Sequence, residues 1–337
     1  MAANHLNKRK ADHIELTFRS QLSDGDSRFN YEPLFAASPE NINLNPIQVA
    51  GKLMLAPIWI SSMTGGAELA GEINKNLARA ANKYGLGMGL GSCRPVLEQK
   101  ESAKDFQVRK IIGNQPLFAN LGIAQLQELK SNNDSSKIIE LVKSLEADGL
   151  IIHVNPLQEW FQPEGDKYSE APIETIKWVL DFAQFPIMVK EVGQGFGPKS
   201  LRNLLTLPLE ALDFGAFGGT NFSLLENHRR NDLRAEEWKC ATHVGHSAQE
   251  MMHEINAVLT EFKSSGNSTP VKTIIASGGI KNFLDGYYIT EKLNHTAIYA
   301  QASPFLKYAL LGEEPLDQFI ESQIEGLKMA QAYLTVK

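Results

Sequence analysis

The chain has 337 residues, of which 43% are hydrophobic, 21% charged and 8% aromatic, and it carries a formal net charge of −6. That balance excludes a disordered chain, and the acidic sign excludes the basic field that binding to nucleic acid by counterion release requires. No stretch approaches the ~20 uninterrupted apolar residues of a membrane-crossing helix, so no nucleic acid and no membrane is expected, and an anionic partner must be small and met by a local basic cluster. Lys8, Arg9 and Lys10 have no apolar run behind them, unlike a secretory signal. Cys93 and Cys240 have neither zinc-site nor disulfide spacing. Both features lead us to expect a reducing, cytoplasmic location.

Taken in chain order, the residues before Leu53 read as a polar N-terminal extension. Eight short apolar runs follow: Leu53 to Ile60, Leu86 to Leu90, Leu117 to Asn120, Leu150 to His153, Ile187 to Lys190, Leu212 to Ala216, Thr273 to Ala276 and Ala297 to Ala300. Each is succeeded by a longer helical pattern. Near-continuous apolarity is what parallel strands buried on both faces need, and eight such repeats predict a TIM (β/α)8 barrel formed as a single domain over residues 1–337. The interval from Gly218 to Pro270 is too long for one helix, so an insertion is expected between strands 6 and 7. Gly85-x-Gly-x-Gly-x-Gly91 and Gly193-x-Gly-x-Gly197 resemble dinucleotide loops but lack the acidic residue about twenty positions on. They read as close-packing or loop glycines.

Barrel active sites form where the strands end, and each run here ends in polar or glycine-rich sequence. Ser61-Ser62-Met63-Thr64-Gly65-Gly66, Gly91-Ser92-Cys93-Arg94, Asn120, His153-Val154-Asn155, Lys190-Glu191, Gly218-Gly219-Thr220, Ser277-Gly278-Gly279 and Gln301-Ala302-Ser303 follow in turn. Gly278-Gly279 and Ala302-Ser303 fall where many barrels bind phosphate through backbone N–H groups and a helix N-terminus, although a plain left-handed turn would use the same glycines. Lys190 ends a buried strand and needs a partner to offset lost hydration. Adjacent strand residues face opposite ways, so the Glu191 side chain is not expected to supply it. His243, His246 and His253 read as loop histidines, and Asn227-His228-Arg229-Arg230 as a charged face or a subunit contact.

Arg9-Lys10-Ala11-Asp12-His13, Ser-Met-Thr-Gly-Gly, Gly-Ser-Cys-Arg, His153-Val-Asn-Pro-Leu-Gln-Glu159 with Gln162-Pro-Glu-Gly-Asp166, Val189-Lys-Glu-Val-Gly193, Gly218-Gly-Thr220 and Ala276-Ser-Gly-Gly-Ile280 together give a chain that resembles type 2 isopentenyl diphosphate isomerase along nearly its whole length. The resemblance implies an enzyme that interconverts isopentenyl and dimethylallyl diphosphate in isoprenoid biosynthesis, with FMN used in its reduced form, NADPH as reductant and Mg2+. It implies that Met63, Thr64, Ser92, Asn120, Lys190, Thr220, Gly278, Gly279, Ala302 and Ser303 hold FMN. Arg9, Lys10, His13, Ser92, Arg94 and Gln158 would bind the isoprenoid diphosphate, Gln158 and His153 would be catalytic, and Glu159 with Asn155 would serve the metal. A homo-oligomer, tetramer or octamer, is expected with it. Two departures stand out: Cys93 replaces the Gln usual before the arginine, and Gln301-Ala302-Ser303-Pro304 is an uncommon last phosphate loop.

The chemistry fits those residue types. A diphosphate draws cations and donors, and Mg2+ binds through one or two carboxylates plus phosphate. Moving a double bond needs an acid and a base at an unactivated alkene, for which a reduced flavin is better suited than ordinary side chains. Two other readings keep the barrel. An FMN-dependent 2-hydroxy acid oxidoreductase would want a histidine base and an arginine late in the barrel, where Ile280-Lys281 stands instead. A phosphate-binding barrel without turnover would have no use for the His153 to Glu159 stretch.

Overall fold

A computed structural model describes the backbone of residues 2–62 and 69–337, and the side chains of all of these except 2–7 and 100–102. Met63 and Thr64 lie outside the described residues. Eight parallel strands close into a barrel in chain order: β1 Ile58–Ile60, β2 Gly87–Gly89, β3 Leu117–Gly122, β4 Gly149–Val154, β5 Ile187–Glu191, β6 Ala211–Asp213, β7 Thr273–Ser277 and β8 Ala297–Gln301. β8 pairs back onto β1 through Tyr299 opposite Ile58 and Gln301 opposite Ile60. This is the TIM barrel that the apolar runs predict.

Alternation sorts the strand residues onto two faces. Trp59, Phe118, Ile151, Met188, Ala211, Ile275, Ile298 and Ala300 fill the barrel interior, while their neighbours pack outward against the helices. Trp59 meets Phe118 edge to face, with ring centroids 5.8 Å apart. The glycines of β2 make room for them: a Cβ on Gly87 would lie 2.2 Å from the Trp59 ring, and one on Gly89 2.6 Å from Ile151. The Gly85 to Gly91 run is therefore a packing device, as its sequence context suggests.

One predicted element divides. The run from Leu53 to Ile60 is two strands, because Pro57 has no N–H to donate to a ladder. Its first part, Lys52–Met54, pairs antiparallel with Ile47–Val49, and Val49 and Met54 join the interior cluster from below. The Ala50-Gly51 turn of this hairpin is left-handed, with φ of 52° and 74°. The Ala50 N–H donates to Glu210 Oε1 at 2.5 Å and Lys52 pairs with Asp148 at 2.6 Å. Both acids stand just before strands, so the hairpin floors the end opposite the mouth.

The expected insertion between β6 and β7 is present. It carries Phe222–Arg229, Arg234–Glu237 and a 3-10 turn at Lys239–His243 ahead of the barrel helix Ala248–Ser264. In the extension, Phe29–Tyr31 pairs antiparallel with Leu334–Val336, and Arg28 reaches Asp285 at 2.8 Å. The helix Ala2–Leu16 precedes this clasp. No helix among the described residues is long and apolar enough to cross a membrane.

Trp59 is fully buried at the centre of the interior cluster. Trp59→Ala should cost about 3–5 kcal/mol of unfolding free energy, as large aromatic deletions in rigid cores do. Urea denaturation checks this, and a loss under 1 kcal/mol would show that the interior collapses around the gap.

Candidate active site

Register places three titratable side chains side by side at the mouth: His153 on β4 lies opposite Lys190 on β5, and Lys190 opposite Asp213 on β6. The Lys190 ammonium donates to the Glu191 carbonyl at 2.6 Å, a backbone contact, as the opposed side-chain directions require. Burial pushes the Asp213 carboxyl up, while Lys190 and Ser277 pull it back. Ser277 Oγ donates to Asp213 and accepts from the Gly215 N–H at 2.8 Å.

His153 Nδ1 lies 2.8 Å from Asn120 Oδ1. Asn120 spends its amide on the Leu90 carbonyl at 3.1 Å, so its oxygen is the acceptor and Nδ1 carries the proton. Burial, and behind it the Lys190 charge, lower the His153 pKa to about 4. The ring is neutral at physiological pH, with Nε2 left as an acceptor.

Glu191 turns away from this row. Its Oε2 accepts the N–H groups of Val192, Gly193, Gln194 and Gly195 at 2.6 to 2.9 Å. Gly193 and Gly195 have φ of 139° and 69°, so the second glycine run lets the chain wrap its own carboxylate. Burial raises the Glu191 pKa to about 7 against the pull of those donors.

The short helix Pro156–Phe161 starts at the end of β4 and presents a polar cluster. Asn155 Nδ2 donates to Glu159 Oε1 at 2.9 Å and to Gln158 Oε1 at 3.1 Å. Tyr168 donates to Asn155 Oδ1 at 2.8 Å, and the Asp166 N–H donates to Glu159 Oε2 at 2.8 Å. Asp166 in turn pairs with Arg94 at 3.0 Å. Gln158 lies 3.5 Å from Glu226 Oε1, a carboxylate held by Arg229, which also bridges to Glu164.

On the opposite side of the mouth a cavity of about 320 Å3 is lined by Lys190, Ser62, Gly218, Gly219, Thr220, Gly278, Gly279, Gln301, Ala302 and Ser303, among others. Its glycines lie back to back. Gly218, Gly278 and Gly279 have φ of 116°, 82° and 72°, and a Cβ on Gly219 would sit 3.1 Å from the Gly279 nitrogen. Side chains are thus excluded and backbone lines the wall. The helix Ser303–Leu311 opens at this wall without a side-chain cap, whereas Asn282 caps the helix after β7 by accepting from the Asp285 N–H at 3.0 Å. Uncapped first-turn N–H groups favour an anion. Ser62 Oγ and Gln301 Oε1 are buried here without hydrogen-bond partners among the described residues.

Over 332 residues the chain is 35% identical to the isopentenyl-diphosphate delta-isomerase of Rickettsia felis, an alignment covering 96% of this chain and 91% of that relative. It is 34% identical over 329 residues to the protein of that name from Rickettsia bellii, covering 96% and 92%. The chain belongs to the isopentenyl-diphosphate delta-isomerase family. No family model matches it. In fold it is similar to a mandelate oxidase variant carrying a monooxide FMN adduct, with a TM-score of 0.58 at 14% identity over 92% of this chain and 88% of that one. A flavocytochrome b2 variant with bound sulfite gives 0.60 at 11% identity over 90% and 72%.

Within this member of the isomerase family, the mouth brings together Asn120, His153, Asn155, Gln158, Glu159, Lys190 and, through Asp166, Arg94. Thr220, Gly278, Gly279, Ala302 and Ser303 gather on the cavity wall with Lys190. Ser92 is half-buried beside Cys93. Arg9, Lys10 and His13 are not brought there: they sit exposed on the helix Ala2–Leu16, and no ion pair or side-chain hydrogen bond among the described residues ties them to the barrel. Cys93 is fully buried, its Sγ 3.4 Å from the Gly91 carbonyl, and burial pushes its thiol up to about 12. Its side chain is a core residue.

Asp213, Glu226, Tyr168 and the Glu191 collar were not legible as site residues. Arg229, which stands exposed in the stretch read as a charged face or subunit contact, and Arg230 also brace the site within the chain: Arg229 holds Glu226, and Arg230 donates to the Phe161 carbonyl at 2.8 Å. Among the described residues no group of three His, Cys, Asp or Glu side chains is arranged to hold a metal. Of the three histidines read as loop residues only His246 lies in a loop: His243 ends the 3-10 turn Lys239–His243, and His253 sits exposed on the helix Ala248–Ser264.

The unfolded chain protonates a histidine near pH 6.5, but folded His153 does so only near 4. Its contribution to stability is therefore complete above pH 6.5 and is lost as pH falls toward 4. Unfolding free energies of the parent and of His153→Gln should diverge over that window, the parent losing on the order of 3 kcal/mol more. Parallel slopes would mean that the ring titrates normally.

Proposed function

We propose that the chain is an FMN-dependent, type 2 isomerase that interconverts isopentenyl and dimethylallyl diphosphate. The observation that carries this reading is the pairing, across one barrel mouth, of a backbone-lined anion pocket containing Lys190 with the His153, Asn155, Gln158 and Glu159 cluster.

The residues present fit FMN. Bare glycine backbone at Gly218, Gly219, Gly278 and Gly279 and the uncapped helix start at Ser303 suit its phosphate, and the Ser62 and Gln301 oxygens, without partners among the described residues, suit a polar ligand. Lys190 would offset negative charge on the ring system, with Ser92, Asn120 and Thr220 as further contacts. Met63 and Thr64 keep the roles that the family resemblance implies. In its reduced state the bound flavin would supply an acid and base able to act on an unactivated alkene.

Mg2+ requires oxygen ligands. Glu159 offers a carboxylate whose orientation is already fixed by Asn155 and by the Asp166 N–H. Asn155 contributes chiefly by holding that carboxylate, since its own oxygen accepts from Tyr168. Arg94 faces the diphosphate, and Arg9, Lys10 and His13 join it when the N-terminal helix moves over the mouth. Neutral His153 offers Nε2 as an acceptor near the reacting carbons, and Gln158, steadied by Glu226, orients or relays a proton. NADPH is the reductant. The protein is a cytoplasmic, single-domain barrel that assembles as a tetramer or octamer.

Purified protein should be yellow after incubation with FMN, and should isomerise isopentenyl diphosphate anaerobically once dithionite has reduced it, provided Mg2+ is present. Steady oxygen consumption with a 2-hydroxy acid would defeat this reading in favour of the oxidoreductase. A colourless protein after soaking in excess FMN would favour the scaffold. Glu159→Gln should raise the Mg2+ concentration for half-maximal activity at least tenfold, the equivalent of about 1.4 kcal/mol, while flavin absorbance per chain is unchanged. Equal loss of both would move the metal elsewhere.

A further inference from the structure

Behind the helix Pro156–Phe161 lies a second opening, of about 650 Å3, which shares Glu159, Asp166 and Tyr168 with the mouth and adds Trp160, Lys167, Arg234 and Trp238, none of which the chemistry above uses. Its floor is aromatic. Trp160 and Trp238 stack with ring centroids 5.8 Å apart and planes 24° from parallel, and Phe161 braces Trp238 edge-on at 5.9 Å. Trp160 remains 67% exposed, so its stacked indole presents a large apolar face to water at this opening.

Cations stand over this floor. The guanidinium carbons of Arg230 and Arg234 lie 5.1 and 5.4 Å from the Trp238 ring centroid. Arg230 is committed, pairing with Asp232 at 2.6 Å and donating to the Phe161 carbonyl. Arg234 and Lys167 have no ion-pair partner among the described residues, although both line the opening. The acids on its wall are already engaged, Asp166 by Arg94 and Glu159 by Asn155 and the Asp166 N–H. What remains available is an exposed indole beside two cations without an ion-pair partner among the described residues, Lys167 and, over the Trp238 ring, Arg234.

A flat, electron-rich ring carrying phosphates matches that combination: the ring stacks on the indole and the phosphates meet the cations. We propose that this opening receives the adenine nucleotide end of the reduced nicotinamide dinucleotide, with the purine on Trp160 and its phosphates at Lys167 and Arg234. The inference rests on the reading of the chain as a flavin enzyme that needs such a reductant. The placement is consistent with it, because the segment from Thr220 to Trp238 runs from the wall of the anion cavity to the wall of this opening.

The test uses 2′,5′-ADP, which lacks the nicotinamide, against the full-length protein. Tryptophan fluorescence should be quenched saturably, and the double variant Lys167→Ala/Arg234→Ala, altered only at exposed side chains, should raise the dissociation constant about tenfold or more. With FMN bound, the same variant should raise the NADPH concentration needed for half-maximal bleaching of the flavin by a similar factor, and leave isomerisation by dithionite-reduced enzyme unchanged. Absence of quenching, or an unchanged constant in the variant, overturns the inference. So does a drop in oligomer mass for Trp160→Ala, which would make the indole a contact between copies of the chain. If dithionite-reduced parent protein fails to isomerise, the functional reading falls, and the 2′,5′-ADP titration still decides whether the opening binds a nucleotide.

Discussion

A lysine ammonium at the end of an inner barrel strand has lost most of its water, and the mouth of this molecule is arranged around that loss. Lys190 is 9% exposed. An unpaired charge in such a place would be expelled or neutralised. Here the register of three adjacent strands supplies Asp213 on one side and a neutral imidazole on the other, and the Glu191 carbonyl accepts a hydrogen bond from the ammonium. The result is a buried lysine that faces a wall built largely of glycine backbone. An anion entering that cavity finds the lysine, a bare glycine backbone and an uncapped helix start converging on it, without rearrangement of the interior.

The same charge sets the character of the other half of the mouth. Burial beside Lys190 holds His153 unprotonated, and Asn120 fixes which nitrogen carries hydrogen. The side of the mouth that carries Glu159 accordingly offers a permanent charge in Arg94 and a carboxylate aimed by hydrogen bonds. Asn155 is the joint between strand and helix: one side chain receives from Tyr168 and donates to both Gln158 and Glu159. Its loss would leave two functional groups without a common reference.

How much of this the residues announced depends on range. Strands buried on both faces must be apolar throughout, so all eight were visible as runs, and only Pro57 hid a boundary by splitting one of them. Glycine, lysine and the His153 to Glu159 stretch stood at strand ends, where barrel geometry gives them meaning. Partners set by register were not visible. Nothing near Lys190 in the chain names Asp213, and Glu226 reaches Gln158 only because the insertion folds back over the helix Pro156–Phe161. Glu191 was misleading in another way, since a carboxylate beside a lysine suggests an ion pair while this one is consumed by four amides of its own loop.

The clasp between Phe29–Tyr31 and Leu334–Val336 has a mechanical side. Polypeptide ends ordinarily fray first, because nothing beyond them holds them down. Here the strand that precedes the barrel and the strand that follows it hold each other, so the barrel between them behaves toward unravelling almost as a closed loop. Peeling from either end must first break the ladder between them, and Arg28 fastens that ladder to the helix that follows β7. The helix Ala2–Leu16 is joined through residues 17–28 to a strand that is part of the frame, so a change in its position would leave the ladder and the cylinder beneath intact.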